Sequence, residues 1–168
     1  LLERFGFGGK VLEDPIWIHA VSLGEFRASV PLINEFLRRS ENIILTTLTP
    51  AGRQEANRIL KFEIANGNVQ VIYLPLEFDF AFNQFINRCK PRLAIILEIE
   101  IWPVLVSACS RNKIPLTFLS HPTQTAVCPE FSRFSRRSDI DPNISYSSFL
   151  NQSARPTTIR SSSIYIIM

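Results

Sequence analysis

The sequence is poor in the residues that build disulfide, metal and phosphate-loop sites. Among its 168 residues there are three cysteines, two histidines and six glycines. The cysteines, Cys89, Cys109 and Cys128, form no C-x-x-C pair, so their spacing predicts neither a disulfide scaffold nor a zinc site. Cys89 and Cys109 fall at apolar positions of helical period, and we expect both to be small core residues.

Long apolar runs and strong charge are also missing. The longest apolar stretch, residues 93–108, is broken by Glu98, Glu100 and Pro103, so it is not predicted to cross a membrane. A net charge of +3 is too small an excess to indicate a nucleic-acid-binding protein. The glycine-rich stretch at 6–9 follows no predicted strand and is therefore not a dinucleotide-binding loop.

Composition divides the chain near residue 118. Residues 1–118 carry 13 Lys or Arg against 12 Asp or Glu and show clear strand and helix periods. Residues 119–168 contain 11 serines and four prolines and show no sustained period. We expect one folded domain over 1–118 and an irregular, disordered tail over 119–168.

Short apolar runs alternate with amphipathic helical segments in the first region. Runs typical of strands buried on both faces cover residues 16–21, 42–47, 69–74, 93–97 and 115–119. Helices are predicted between them, one of which begins at Pro50 with Thr49 as its N-cap. This alternation predicts an α/β fold, a Rossmann-like parallel sheet with helices on both faces. Ligands bind such sheets beyond the carboxyl ends of the strands.

The turn after the first predicted strand carries the sharpest candidate chemistry, at Ser22, Gly24 and Glu25. Gly24 permits a tight reversal of the chain and the close approach of a ligand. Glu25 falls in the first turn of the next helix, whose dipole favours an ionised carboxylate. Such a carboxylate can act as a general base toward an attacking hydroxyl. The alternative is that Glu25 only stabilises the start of the helix.

Two further strand ends carry polar side chains. Glu98 and Glu100 lie two residues apart, so they point to one face and could bind substrate hydroxyls, or Glu100 simply caps the next helix. Thr47 and Thr49 could bind a sugar or phosphate at a helix N-terminus. Strand propensity and helix capping explain these threonines without a ligand. His19 lies inside a strand run and is predicted to be a core residue, or one that supports site residues from behind, and not a catalytic residue.

Four ordered motifs resemble those of the 3-deoxy-D-manno-octulosonic acid (Kdo) transferases, glycosyltransferases of Gram-negative lipopolysaccharide synthesis. They are HAVSLGE at 19–25, TTLTPAG at 46–52, YLPLE at 73–77 and EIEIWPV at 98–104. The stretch ERFG at 3–6 resembles a further segment near the family's start. The resemblance covers about residues 3–118, and we find no likeness after them.

The resemblance implies the N-terminal half of a glycosyltransferase B fold. In that family this half holds the lipid A precursor (lipid IVA), and a C-terminal domain binds the donor, CMP-Kdo. It implies inverting transfer of Kdo without a metal or other cofactor, and peripheral association with the cytoplasmic face of the bacterial inner membrane. The family's catalytic base corresponds to Glu25. Substrate contacts are predicted for Ser22, Gly24, Thr47, Thr49, Glu98 and Glu100.

The family's pattern is not followed throughout. Val104 stands where the family has Asn, and the family's N-A-R-L-S stretch is replaced after Phe118. We therefore expect a chain that is truncated and shifted in reading frame after about residue 118. Such a chain would lack the donor domain and the apolar anchor and would be inactive by itself. The alternatives are a non-catalytic remnant and an unrelated Rossmann-like domain that binds lipid or sugar.

Overall fold

One mixed sheet organises the domain. The computed structural model describes residues 2–97, 102–119 and the backbone of 164–167. Its elements are a 3₁₀ helix (Leu2–Phe5), β1 (Ile16–His19), α1 (Leu23–Arg38), β2 (Ile43–Thr47), α2 (Pro50–Ile59), α3 (Lys61–Ala65), β3 (Val69–Tyr73), α4 (Asp79–Cys89), β4 (Leu93–Leu97), α5 (Pro103–Arg111), β5 (Leu116–Leu119) and β6 (Ile164–Ile167). The strand order is β3-β2-β1-β4-β5-β6, with the first five strands parallel and β6 antiparallel to β5.

Both faces of the sheet are covered, as the continuous apolar runs predict. Every residue of β1, β2, β4 and β5 is buried. Phe26 and Ile33 of α1 pack on one face together with α2, and Phe82 and Phe85 of α4 pack on the other together with α5. The predicted α/β fold with a Rossmann-like parallel sheet is therefore confirmed.

The order of the strands reverses between β1 and β4. The chain runs outward from β1 through β2 to β3, then crosses back to place β4 on the other side of β1. In sheets of this kind the turns at such a reversal diverge and leave a crevice beyond the strand ends. The turn that carries Ser22, Gly24 and Glu25 leaves β1 at this point.

Two short helices were not predicted. The helix that begins at Pro50 behind its Thr49 cap ends at Ile59, and α3 follows after Leu60. Leu60 is 1% exposed and has left helical geometry at φ −96° and ψ 24°, so burial of this side chain accompanies the break. The 3₁₀ helix at Leu2–Phe5 has only four residues, which is too short for a helical period to show.

Part of the predicted irregular tail is a strand. Residues 164–167 pair with β5 in the register Leu116↔Ile167 to Leu119↔Ile164. Their sequence, Ile-Tyr-Ile-Ile, is rich in the β-branched and aromatic residues that favour strands. The expectation of an irregular tail is thus wrong for these four residues. Residues 120–163 lie outside the described residues, and their predicted disorder stays a prediction.

The segment before β1 packs across the carboxyl end of the sheet. The carbonyl of Arg4 accepts a hydrogen bond from the Leu76 N–H at 2.8 Å. Gly6 follows with φ +84°, in the left-handed region. A Cβ placed on Gly6 would lie 2.2 Å from the carbonyl oxygen of Ala81 on α4. Only glycine therefore fits both the conformation and the space at this position.

Gly6→Ala is expected to lower the free energy of unfolding by about 3 kcal/mol, because a left-handed conformation and a backbone clash both penalise the new methyl group. Gly67 provides the control, since it has φ +85° but no atom within 4 Å of the point where a Cβ would lie. Gly67→Ala is expected to cost only about 1 kcal/mol. Urea denaturation of both variants checks the difference, and equal losses would contradict the packing of Gly6.

Candidate active site

The Glu25 carboxylate takes part in capping the start of α1. Its Oε2 accepts the Val21 N–H at 2.5 Å, and its Oε1 accepts the Ser22 hydroxyl at 2.8 Å. Ser22 is the N-cap, and its Oγ accepts the Glu25 N–H at 3.4 Å. This is a capping box whose return bond goes to the residue before the cap. Two groups of the preceding turn thus orient the carboxylate.

Gly24 has a different role from the one predicted. The chain reverses at Ser22, which is extended at φ −118° and ψ 172°, whereas Gly24 already lies inside α1. Its φ lies outside the left-handed range, and a Cβ there would approach only the Ser22 Oγ, at 3.8 Å. The expected tight reversal at Gly24 is therefore wrong. Gly24 is exposed and leaves open space one residue before Glu25.

The turn after β2 is joined directly to the turn after β1. The carbonyl of Val21 accepts the N–H groups of Leu48 and Thr49, at 3.2 and 3.3 Å. Thr49 caps α2, and its Oγ1 accepts the Gly52 N–H at 3.1 Å. A Cβ on Gly52 would lie 3.3 Å from the carbonyl carbon of Ser22. Glycine at position 52 therefore lets the starts of α1 and α2 approach each other.

The predicted contact residues do not all share one environment. Ser22, Gly24 and Thr49 lie with Glu25 at the carboxyl edge of the sheet and are at least partly accessible. Thr47 is fully buried, and its hydroxyl donates to the Thr49 carbonyl at 3.1 Å. Thr47 therefore supports the turn in this structure. Glu98 and Glu100 lie outside the described residues, and their roles stay predictions.

Trp17, His19 and Thr46 form a buried polar cluster on the face of the sheet that α4 and α5 cover. Thr46 Oγ1 accepts the indole N–H of Trp17 at 2.8 Å and lies 2.9 Å from His19 Nδ1. His19 Nδ1 is also 3.1 Å from the Thr46 carbonyl oxygen. The ring is fully buried beside Trp102, and its Nε2 has no partner among the described residues. The prediction that His19 is a core residue is confirmed.

Burial lowers the pKa of His19 from 6.5 to about 4, although its contact with the Thr46 backbone acts in the opposite direction. The unfolded chain therefore takes up this proton first as the pH falls. The contribution to stability is complete above about pH 6.5 and is lost progressively toward pH 4.

The free energy of unfolding is expected to fall by about 1 kcal/mol between pH 7 and pH 5.5 because of His19. In His19→Gln this change should largely disappear, whereas in His121→Gln it should remain. Urea denaturation at the two pH values measures the change, and NMR titration of the His19 ring checks the pKa. A ring that titrates near pH 6.5 would contradict the assignment.

Glu77 caps the start of α5, a role that was not predicted from the sequence. Its Oε1 accepts the Val104 N–H at 3.1 Å, in the first turn of α5. A carboxylate at this helix start was considered only for Glu100. The available signal was weak, because Glu77 lies 27 residues before its partner along the chain. The two cysteines predicted to be core residues, Cys89 and Cys109, are both buried free thiols.

These features define a class of protein: a Rossmann-like α/β domain that presents an oriented carboxylate at the reversal point of its sheet. Comparison with known proteins gives the family. A model of the 3-deoxy-D-manno-octulosonic-acid transferases (Kdo transferases) matches residues 1–137. The chain belongs to this family. The match passes residue 118, so the expectation that the likeness ends there is wrong, although the domain boundary itself stays a prediction.

Curated relatives carry the same family name. A 3-deoxy-D-manno-octulosonic acid transferase of Bordetella pertussis is 38% identical over 121 residues, which cover 70% of this chain and 28% of the relative. One from Haemophilus influenzae is 35% identical over 120 residues, which cover 68% of this chain and 27% of the relative. The chain therefore spans about a quarter of the length of these relatives.

Solved structures give a weaker likeness. A geranyl diphosphate C-methyltransferase from Streptomyces coelicolor A3(2) aligns with a TM-score of 0.44 and 12% identity, over 71% of this chain and 43% of that chain. A likeness of this degree carries no argument about function. Among the described residues, no helix combines the length and the apolar character needed to span a membrane.

Proposed function

We propose that this chain forms the acceptor-binding part of a Kdo transferase. The reaction is the inverting transfer of Kdo from CMP-Kdo to lipid IVA, a lipid A precursor, without a metal or other cofactor. Family membership and the curated relatives support this proposal. The donor-binding part lies in the C-terminal domain that the family resemblance implies. To the domain that the structure describes we assign acceptor binding.

The position of Glu25 carries the proposal. Its carboxylate lies at the carboxyl edge of β1, beside the reversal of strand order, where ligands of such sheets bind. Each of its oxygens accepts one hydrogen bond from the turn. A carboxylate has about four lone-pair positions, so acceptor sites are left for a substrate hydroxyl. Glu25 is half-buried, so the residue is not closed off from solvent.

The chemistry assigned to Glu25 is general base catalysis. The carboxylate takes the proton of an acceptor hydroxyl while that oxygen forms a bond to the anomeric carbon of Kdo. The bond from this carbon to the CMP phosphate breaks, and CMP leaves with the electron pair. Attack opposite the leaving group inverts the anomeric centre. Ser22 bonds to the carboxylate and Thr49 lies in the adjoining turn, and we assign their hydroxyls to binding of a sugar.

A chimera tests the role of Glu25. Residues 3–118 of this chain replace the matching segment of the Bordetella pertussis transferase, and transfer from CMP-Kdo to lipid IVA is measured. Glu25→Gln in this chimera is expected to reduce kcat at least about 100-fold, because a general base contributes roughly that much or more. Glu13→Gln, an exposed carboxylate before β1, should leave kcat unchanged.

Helix capping alone predicts a different result for the same variant. The amide oxygen of the substituted side chain can still accept one hydrogen bond from the turn, so the fold should survive with only a small loss of stability. If Glu25 is only a cap, the Glu25→Gln chimera should keep most of its kcat. An inactive parent chimera that folds and binds lipid IVA would favour the non-catalytic alternative instead.

An apolar patch supports the proposed membrane association. It lies around the 3₁₀ helix and the start of α4 and is formed by the exposed side chains of Leu2, Phe7, Leu76, Phe78 and Phe80. Phe80 contacts the rings of Phe5 and Phe7 at centroid distances of 6.3 and 6.5 Å. A contiguous exposed patch of this kind is typical of a surface that meets a partner or a membrane. We assign it to the inner-membrane surface that holds the acceptor.

Vesicle flotation tests the apolar patch. The double variant Phe78→Ser/Phe80→Ser is expected to lower binding to vesicles containing lipid IVA about tenfold, since two half-exposed phenylalanines lose their apolar burial. Phe62→Ser is the control, because Phe62 is 76% exposed but lies on α3, outside the patch. Equal binding by the two variants would contradict this assignment.

A further inference from the structure

Arg4 connects the segment before β1 to the strand ends that form the candidate site. Its Nη1 donates to the Leu74 carbonyl at 3.3 Å, and its Nη2 donates to the Leu48 carbonyl at 3.2 Å. Leu48 follows β2 and Leu74 follows β3. One planar guanidinium therefore bridges the two strand ends, and its rigid fork suits two acceptors at once.

A chain of hydrogen bonds leads from Arg4 to Glu25. The Leu48 carbonyl, which accepts from Arg4 Nη2, belongs to the peptide unit between Leu48 and Thr49. The N–H of the same peptide unit donates to the Val21 carbonyl at 3.3 Å. The N–H of Val21 in turn donates to Glu25 Oε2 at 2.5 Å. The carbonyl and the N–H of Val21 belong to adjacent peptide units that share its Cα, so these bonds link Arg4 to Glu25 by holding Val21 in position.

The guanidinium of Arg4 is itself held in place. Its Cζ lies 4.8 Å from the ring centroid of Tyr73, at the end of β3. The Arg53 guanidinium lies 4.5 Å from the same centroid and pairs with Glu3 through two bonds of 2.5 and 2.9 Å. The Arg4 carbonyl is fixed by the Leu76 N–H. The ring contact of its guanidinium and the hydrogen bond of its backbone carbonyl therefore limit the positions that the Arg4 side chain can take.

We infer that Arg4 is a positioning residue for the Glu25 carboxylate, acting through the turns at Leu48 and Val21. The inference rests on the proposed role of Glu25 as the base. It assigns the segment before β1 to the active site, although the hydrogen bonds of the Arg4 side chain go to Leu48 and Leu74 and not to the carboxylate. Arg53 shares the same tyrosine but makes no described hydrogen bond to either turn, so the two arginines are assigned different tasks.

NMR of the 168-residue chain tests this inference at the amide of Val21. A short bond to a carboxylate moves this amide proton downfield and slows its exchange with solvent. Arg4→Gln is expected to move the resonance upfield and to speed exchange about tenfold, the effect of losing roughly one charge-assisted hydrogen bond. Arg4→Lys should lie between these values, because an ammonium group can still bind a carbonyl.

Arg53→Gln is the matched control. It removes the same charge from the same tyrosine and breaks the pair with Glu3, yet it should leave the Val21 amide nearly unchanged. The amide of Ile95, in the central strand β4, reports global unfolding in every variant. If Arg4→Gln does not fold, Arg4→Lys decides the question by the same amide.

Two results would overturn the inference: a Val21 amide unaffected by both Arg4 variants, or one equally affected by Arg53→Gln. The measurement needs no donor, acceptor or transfer. Failure of the proposed function would show in the transfer assay of the chimera, whereas failure of this inference would show at the Val21 amide. The two failures can therefore be distinguished.

Discussion

The parallel register of β1 and β2 is the constraint on which the candidate site depends. Ile16 pairs with Ile43 and His19 with Thr46, so the two strands end within one residue of each other. The following turns then meet, and the carbonyl of Val21 can accept two N–H groups from the turn after β2. A slip of one residue would turn every side chain of the strand to the opposite face. The buried contacts to Thr46 would be lost, and the two turns would no longer meet.

Most of this sheet could be predicted from the sequence because its strands are buried on both faces. Burial on both faces leaves unbroken apolar runs, and the bounds predicted for the fourth strand, 93–97, match β4. The start of α2 could likewise be predicted from Thr49 as its N-cap and Pro50 as its first residue. The predicted end of this helix, near Leu60, lies within one residue of its observed end at Ile59. The helix α3 was not predicted, because five residues are too few for a helical period to show.

The turn that carries Ser22 and Glu25 could be predicted in position, whereas its geometry could be predicted only in part. The Ser22 and Glu25 spacing is that of a capping box, a local signal that indicates where the carboxylate turns back. Gly24 was assigned the reversal because glycine often supplies it, whereas the extended backbone of Ser22 does so here. Arg4 joins the site across 44 residues to Leu48. No local pattern shows a contact at that separation.

The strand β6 forms one edge of the sheet. It contributes four residues at the end of the order and covers the edge of β5. An uncovered strand edge offers its free amide and carbonyl groups to any extended segment that approaches. A cover of four residues contributes few ladder bonds, so a longer strand from another polypeptide can compete with it. Without β6, the edge of β5 would be open to pairing with a strand of another molecule.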